Sequence, residues 1–169
     1  FHPIYNYALI TDAEEGLILV DVNTLADGLP RNNFLKRSLT WNEKNVLDGA
    51  RHITIAGHIV YITTPDALVV LDLNDPLSPQ LLNRIKMNDP RASALQFRYL
   101  LVTDRDGVNI FDATSPNNIK SSPVAAVPLN DARKVYIART YAYVAAGKEG
   151  LAIIDVKNPE KPFINQIFT

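Results

Sequence analysis

Four aspartates recur at one position of a repeated seven-residue phrase, and carboxylates in such a register could serve as acids, bases or metal ligands. The phrase reads GLILVDV, ALVVLDL, GVNIFDA and GLAIIDV, and its aspartates are Asp21, Asp72, Asp112 and Asp155. Most of them stand just before an Asn–Pro or Ser–Pro turn, where a carboxylate can accept backbone N–H bonds. A functional site rarely recurs once in every repeat. We therefore predict that they are structural turn locks, and we predict no catalytic residues.

An arginine column is the sharpest candidate for a binding site. Its members precede a short apolar run at the same place in successive repeats, and two of them adjoin a further basic residue: Arg51 with His52, Arg91, and Arg133 with Lys134. Asp89 and Asp131 each lie two residues ahead of an arginine, and Asp48 lies three residues ahead of Arg51. Because clustered charges usually pair, one interpretation is an Asp–Arg latch between neighbouring repeats. The other is a positive collar that binds an anion or an acidic partner through the arginine fork.

The first repeat contains extra residues between Val22 and Gly49, and we treat them as a candidate partner loop. Its candidate contact residues are Arg31, Phe34 and Trp41. Inserted loops commonly carry binding, and tryptophan is enriched at interface hot spots. A tryptophan that fills the edge of its own repeat is the alternative interpretation.

The elements that must position these residues are short strands. The phrase returns at intervals of roughly 40–50 residues, which is the period of a propeller blade. Each unit shows short β-rich runs separated by Gly, Asn and Pro, and its third run is apolar at nearly every position. Both faces of that strand must therefore be buried, and no helical pattern is present to cover them. The sequence predicts an all-β fold of four antiparallel four-stranded blades stacked around an axis.

The unit boundaries follow from the repeat. We place the units at about 1–49, 50–89, 90–131 and 132–169, all within one propeller segment. Gly16, Gly107 and Gly150 end a hairpin turn in three of them, where a positive φ is expected.

Two stretches of the chain resemble a known family. YVAAGKEGLAIIDVKNPEKP at 143–162 and YITTPDALVVLDLNDPLSP at 61–79 are similar to the LVIVD repeat, a bacterial and archaeal β-propeller repeat. The resemblance implies an exported protein, at the cell surface or in the extracellular or periplasmic space, and often one module of a larger chain. It implies no catalytic residues. Some similar proteins stand beside c-type haem domains, so an accessory module of an electron-transfer complex of multihaem cytochromes is an alternative function.

The ring is expected to be unfinished. Only Phe1–Asn6 precede the first predicted strand at Tyr7, so the inner strand of the first unit is expected to be missing. We therefore expect a segment of a six- to eight-bladed ring, with a closed four-bladed ring as the alternative. An open arc would expose the apolar flanks of its end blades.

Composition limits the partners. The 17 Lys+Arg and 18 Asp+Glu nearly cancel, which argues against nucleic acid, and no apolar run reaches the roughly 18 residues of a membrane span. The chain has no cysteine, and its three histidines do not pair at metal-ligand spacing, so we predict no metal or cofactor. The sequence thus favours a non-enzymatic scaffold that binds a protein partner or further domains of the same chain.

Overall fold

Short antiparallel strands make up most of the described fold, and the segments between them include short 3-10 helices at Pro30–Asn32, Glu43–Asn45, Pro116–Asn118 and Gly147–Glu149. The structure, a computed structural model, describes residues 7–23 and 27–169. The first sheet contains β1 (Tyr7–Asp12), β2 (Gly16–Asp21) and β3 (Lys36–Trp41). The second contains β4 (His52–Ala56), β5 (Ile59–Thr63), β6 (Ala67–Asp72) and β7 (Gln80–Lys86).

The remaining two sheets repeat the arrangement of the second. The third sheet contains β8 (Ala92–Gln96), β9 (Tyr99–Thr103), β10 (Gly107–Asp112) and β11 (Ala125–Pro128). The fourth contains β12 (Lys134–Ala138), β13 (Tyr141–Ala145), β14 (Leu151–Asp155) and β15 (Phe163–Phe168). Strands neighbouring in sequence pair in every sheet, so each sheet is a meander without crossovers.

Two backbone features explain how each meander turns. The three hairpin glycines have positive φ, as predicted: +82° at Gly16, +147° at Gly107 and +85° at Gly150. In the first, second and fourth sheets the register shifts by one residue between the last two strands, which is a β-bulge that increases the twist of the sheet.

The sheets stack face to face in chain order. We call the face of a sheet that packs on the following sheet its forward face, and the opposite one its backward face. Leu19, Val70 and Ile110 are fully buried on the forward faces of the first three sheets. Each belongs to an apolar cluster shared with the next sheet, so three such clusters hold the four sheets together. This stacking explains why the third strand of each unit is apolar on both faces.

The all-β prediction is confirmed, and the stacked meanders have the form of propeller blades. Three of the four sheets have the four strands that the sequence predicts, and the first has three strands in the described residues. The expectation that the first unit lacks an inner strand concerns Phe1–Asn6, which lie outside the described residues. Across the described ranges, no helix is long and apolar enough to cross a membrane.

Candidate functional site

The four repeated aspartates bind the backbone of the turns that follow them. Each carboxylate Oδ1 accepts a hydrogen bond from the backbone N–H two residues later, at 2.7–2.9 Å. The pairs are Asp21 with Asn23, Asp72 with Asn74, Asp112 with Thr114, and Asp155 with Lys157. The hydroxyl and the N–H of Thr114 also lower the pKa of Asp112 below its ordinary value. Because the four carboxylates lie in four separate turns, they form no shared acidic site.

The arginine column forms a chain of ion pairs that we call the Arg–Asp ladder. Its members run in spatial order Arg51, Asp89, Arg91, Asp131 and Arg133. Arg51 Nη1 lies 2.5 Å from Asp89 Oδ1, and Arg91 Nη1 lies 2.5 Å from Asp131 Oδ1. Between residues two positions apart in the chain, Arg91 Nη2 lies 3.1 Å from Asp89 Oδ2 and Arg133 Nη2 lies 2.7 Å from Asp131 Oδ2. The ladder therefore joins the starts of the second, third and fourth sheets.

Backbone hydrogen bonds and positive φ angles fix the positions of the ladder residues. The N–H groups of Arg51, Arg91 and Arg133 donate to the carbonyls of the second strands of their own sheets, at 2.8–2.9 Å. Asp89 and Asp131 have φ of +58° and +59°, and Gly49 has +72° two residues before Arg51. Gly49, rather than the neighbouring Asp48, is thus the structural equivalent of the two aspartates. Asp48 instead accepts from Asn42 Nδ2 at 2.8 Å.

The two carboxylates of the ladder are ion-paired with its three arginines. Hydrogen bonds from Arg51 and then Arg91 hold the pKa of Asp89 below its ordinary value, and Arg133 and Arg91 do the same for the pKa of Asp131. Asp131 and Asp89 in turn raise the pKa of Arg91. Four collar candidates, with Asp131 between them, line one shallow depression of about 400 Å³: Arg51, Arg91, Arg133 and Lys134. Carboxylates thus occupy the arginine forks that an anion would use.

Replacing two ladder arginines separates the latch from the collar. The double variant Arg91→Ala/Arg133→Ala should lower the Tm by about 3 °C or more, because Arg91 bridges two carboxylates of successive sheets. Differential scanning calorimetry measures the shift. Arg105→Ala is the matched control, since that guanidinium lies 3.8 Å from Asp89 and is largely exposed. An unchanged Tm in the double variant, together with loss of an acidic partner, would instead support the collar.

His52, a collar candidate, makes a contact between sheets and does not line the depression beside the ladder. Its Nδ1 accepts the backbone N–H of Ser93 at 3.2 Å, which ties the second sheet to the third. Burial, together with the nearby charge of Lys134, lowers the pKa of His52 below its ordinary value. Neutral imidazole is needed to accept this hydrogen bond, so protonation and folding oppose each other.

This opposition predicts a pH dependence. In the unfolded chain the imidazole of His52 has its ordinary pKa near 6.5, whereas its pKa in the folded protein is lower. The unfolded state therefore binds the proton more readily than the folded state. The free energy of unfolding should therefore fall as the pH drops from about 6.5 toward the lower folded-state pKa, a range above that of the carboxylates. Urea unfolding of the native chain and His52→Gln at pH 7.5, 6.5 and 5.5 tests this, with His58→Gln as control. An equally steep fall in His52→Gln would contradict it.

The three candidate contact residues of the first unit's loop lie in two different environments. Arg31 and Phe34 are exposed, whereas Trp41 is 7% exposed and packs in the cluster between the first two sheets. Trp41 ends β3 opposite Leu17, on the forward face of the first sheet. Its assignment to an exposed partner loop is therefore corrected to the alternative, a side chain that fills its own blade.

A second candidate site, absent from the sequence predictions, lies at the opposite ends of the inner strands. Phe97 occupies the turn between β8 and β9, is 92% exposed and has a φ of +52°. Bulky side chains at positive φ are uncommon, and such strain concentrates at functional positions. An open groove of about 490 Å³ lies beside it, between the turns of the third and fourth sheets. We call this the Phe97 groove; it is lined by Gln96, Phe97, Arg98, Tyr99, Arg139, Thr140, Val156, Lys157 and Pro159.

The charges of the Phe97 groove are unevenly compensated. Arg98 lies over the Tyr99 ring at 4.9 Å and donates to its hydroxyl, which donates in turn to Glu160 at 2.7 Å. Within the part of the chain that the structure describes, neither Arg139 nor Lys157 forms an ion pair. Gln96 donates to the Arg139 carbonyl at 2.7 Å, but its own buried Oε1 has no hydrogen-bond partner there. The groove thus offers an aromatic side chain and two cations to a ligand.

The sequence contained one signal for this groove. Gly57, Phe97 and Arg139 hold the same turn position in the second, third and fourth sheets, and their φ values are +62°, +52° and +57°. Glycine is the ordinary residue there. A phenylalanine where a homologous turn carries glycine could have been recognised as unusual once the repeats were aligned on their turns.

Comparison of the chain with known families supports the repeat. The model of the LVIVD repeat matches residues 5–26, 49–86 and 130–169, together more than half of the chain. Among curated proteins, none is significantly similar to it.

Several solved structures share the fold. A functionally unknown protein from Desulfotomaculum acetoxidans DSM 771 superposes with a TM-score of 0.70 at 11% identity, over 96% of this chain and 56% of that one. The computationally designed Ika8 protein gives a TM-score of 0.68 at 10% identity, over 96% and 46%. The N-terminal domain of Nup159 gives 0.64 at 10% identity, over 97% and 41%. The chain therefore spans roughly half of each of these structures, and such low identities show the fold alone.

Proposed function

This chain belongs to the LVIVD-repeat family, and from that membership we propose that it is a non-enzymatic β-propeller scaffold in an exported or cell-surface protein or assembly. The observation that carries the proposal is the Phe97 groove. A scaffold must present a surface that is exposed and still energetically costly to leave in water, and Phe97 has both properties. The exported location rests on the family resemblance.

The groove indicates the chemistry of the partner. Aromatic and arginine side chains are enriched at protein interfaces, and here they adjoin in the two-residue turns that follow β8 and β12. Arg139 and Lys157 favour a partner segment that carries a carboxylate, while Phe97 favours an apolar side chain next to it. We propose that the ligand is an acidic, partly apolar segment of another protein or of a further domain.

Site-specific photocrosslinking in the source cells tests the proposal. A benzophenone side chain at position 97 should give one discrete protein adduct, and the double variant Arg139→Glu/Lys157→Glu should remove it. Position 77 is the control, because Leu77 is also exposed, in a turn of the second sheet. Equal adducts at both positions, or none at position 97 in the envelope and secreted fractions, would contradict the proposal. Finding the protein only in the cytoplasmic fraction would overturn its exported location.

A further inference from the structure

The third sheet differs from its neighbours in the segment that joins its last two strands. That segment is twelve residues long (113–124), whereas the corresponding segments of the second and fourth sheets have seven residues each (73–79 and 156–162). The model of the LVIVD repeat matches the second and fourth sheets but leaves residues 87–129 unmatched. Extra residues in one copy of a repeat form loops, and such loops commonly carry binding. The extended loop is therefore a candidate for a function that the other sheets lack.

A hollow of about 250 Å³ lies against this loop, and we call it the Lys120 hollow. Its lining comes from the loop itself and from the end of the strand before it. None of its lining residues belongs to the Phe97 groove. The lining includes Asp112, Ser115, Asn118, Lys120, Ser122 and Val124.

The polar side chains of the Lys120 hollow are available to a ligand. Within the ranges that the structure describes, four exposed side chains of the lining form no hydrogen bond or ion pair: Ser115, Asn118, Lys120 and Ser122. Asp112 accepts the N–H of Thr114 with Oδ1, whereas its Oδ2 lies 3.9 Å from Arg98 Nε, beyond hydrogen-bond distance. The hollow thus brings together a carboxylate oxygen, two hydroxyls, an amide and an ammonium group.

The packing of the loop holds the hollow in shape. Ile119, in the middle of the loop, is 5% exposed and belongs to the apolar cluster between the second and third sheets. Its carbonyl accepts a hydrogen bond from Asn83 Nδ2 of the second sheet at 3.1 Å. At the end of the loop, the N–H of Val124 donates to the carbonyl of Ile110 at 2.8 Å. A loop fixed in this way loses little freedom when a ligand binds.

The mixture of groups favours a neutral, hydroxyl-rich ligand over an anion. Asp112 and Lys120 are the two charged residues of the lining, so the lining has no excess of positive charge to attract phosphate or sulfate. The pKa of Asp112 lies below its ordinary value because of its hydrogen bonds with Thr114, so the carboxylate is ionised at neutral pH and acts as an acceptor. A hydroxyl group both donates and accepts, and can therefore pair with every polar group of the hollow.

The size and the apolar wall of the hollow agree with a sugar. Its volume is smaller than the roughly 300–1,000 Å³ of sites for drug-sized ligands, which suits a single ring. Val124 is 44% exposed and supplies an apolar contact for the C–H face of a sugar ring. Hydroxyl-bearing rings with one apolar face thus satisfy both parts of the lining.

We propose that the Lys120 hollow binds one sugar unit of a carbohydrate, with Asp112 accepting from its hydroxyls and with Lys120 and Asn118 donating to them. The site lies in the extended loop of the third sheet and uses no residue of the Phe97 groove. It therefore goes beyond the proposed scaffold function and does not depend on it.

NMR titration of the ¹⁵N-labelled chain with D-glucose, D-galactose, D-mannose and N-acetyl-D-glucosamine tests the proposal. At least one of these sugars should shift the amides of residues 113–124 saturably, with a Kd on the order of 1 mM. Lys120→Ala and Asp112→Asn should each raise that Kd roughly tenfold, because each removes a charge-assisted hydrogen bond. Asp155→Asn is the matched control, since Asp155 makes the same turn hydrogen bond in the fourth sheet, and it should leave the Kd unchanged.

Sodium phosphate is the competing probe. If phosphate shifts the amides of residues 113–124 and none of the four sugars does, the hollow is an anion site and the proposal is wrong. Sugar-induced shifts confined to the amides around Phe97 would also overturn it, as would the absence of saturable shifts with all four sugars. An equal loss of affinity in Asp112→Asn and Asp155→Asn would contradict a direct contact. Thermal melts verify folding, and Ser122→Phe, which places a ring in the hollow, replaces Asp112→Asn if the latter fails to fold.

Discussion

Replacing Phe111 by alanine should lower the free energy of unfolding by about 3–5 kcal/mol. Phe111 is 1% exposed and lies in the cluster between the second and third sheets, which also contains Tyr61 and Leu100. The substitution removes the apolar contacts of the ring and leaves a cavity that the flanking sheets can fill only in part, because strands fix the positions of their side chains. Urea unfolding followed by circular dichroism measures the change.

Phe97→Ala is the matched control, since it deletes the same ring from a position that is 92% exposed. Its effect should stay within about 0.5 kcal/mol. The slope of the denaturant dependence carries additional information: an unchanged slope in Phe111→Ala means that the four sheets still unfold together, whereas a smaller slope means that the stack separates at the weakened interface. A loss at Phe111 no larger than the loss at Phe97 would contradict the assigned packing.

The general architecture could be predicted because it follows from local patterns. A strand such as Ala67–Asp72, apolar at every position but the last, must bury both faces, and without helices only stacked sheets can cover it. The hairpin glycines and the aspartates before the turns interact only with residues close to them in sequence. Their geometry could therefore be predicted from the spacing of residues in the repeat. The ion pair between Arg91 and Asp131 also followed from the tendency of clustered charges to pair.

Positions that depend on register could not be predicted. Trp41 lies inside the fold because a bulge between β2 and β3 aligns it with Leu17, and a bulge of one residue reverses which face a side chain joins. Asp48 was aligned with the ladder aspartates by charge, although the backbone there requires the positive φ that Gly49 supplies. Phe97 was missed because the inferences started from charged residues, whereas its importance lies in an unfavourable backbone conformation combined with exposure.

Gly107 is a position where the backbone geometry does not tolerate a side chain. Its φ of +147° belongs to a region that is nearly restricted to glycine, and a Cβ there would lie 2.1 Å from the carbonyl oxygen of Val127 on the neighbouring strand β11. Because that oxygen belongs to the backbone of a paired strand, it cannot move aside without disturbing the sheet. Ala67 holds the equivalent position in the second sheet without a positive φ, so the repeat has a second backbone solution that accepts a Cβ.

Gly107→Ala should therefore lower the free energy of unfolding by roughly 2–5 kcal/mol, from backbone strain together with displacement of β11. Gly57→Ala is the matched control: its φ is +62°, but no atom lies within 4 Å of the added Cβ, so only the strain remains, about 1 kcal/mol. Parallel urea titrations give both values, and hydrogen exchange of the β11 amides locates the disturbance. If the two variants lose equal stability, the backbone at position 107 has changed to the conformation that Ala67 has in the second sheet. The close approach to Val127 would then not be the reason for glycine at this position.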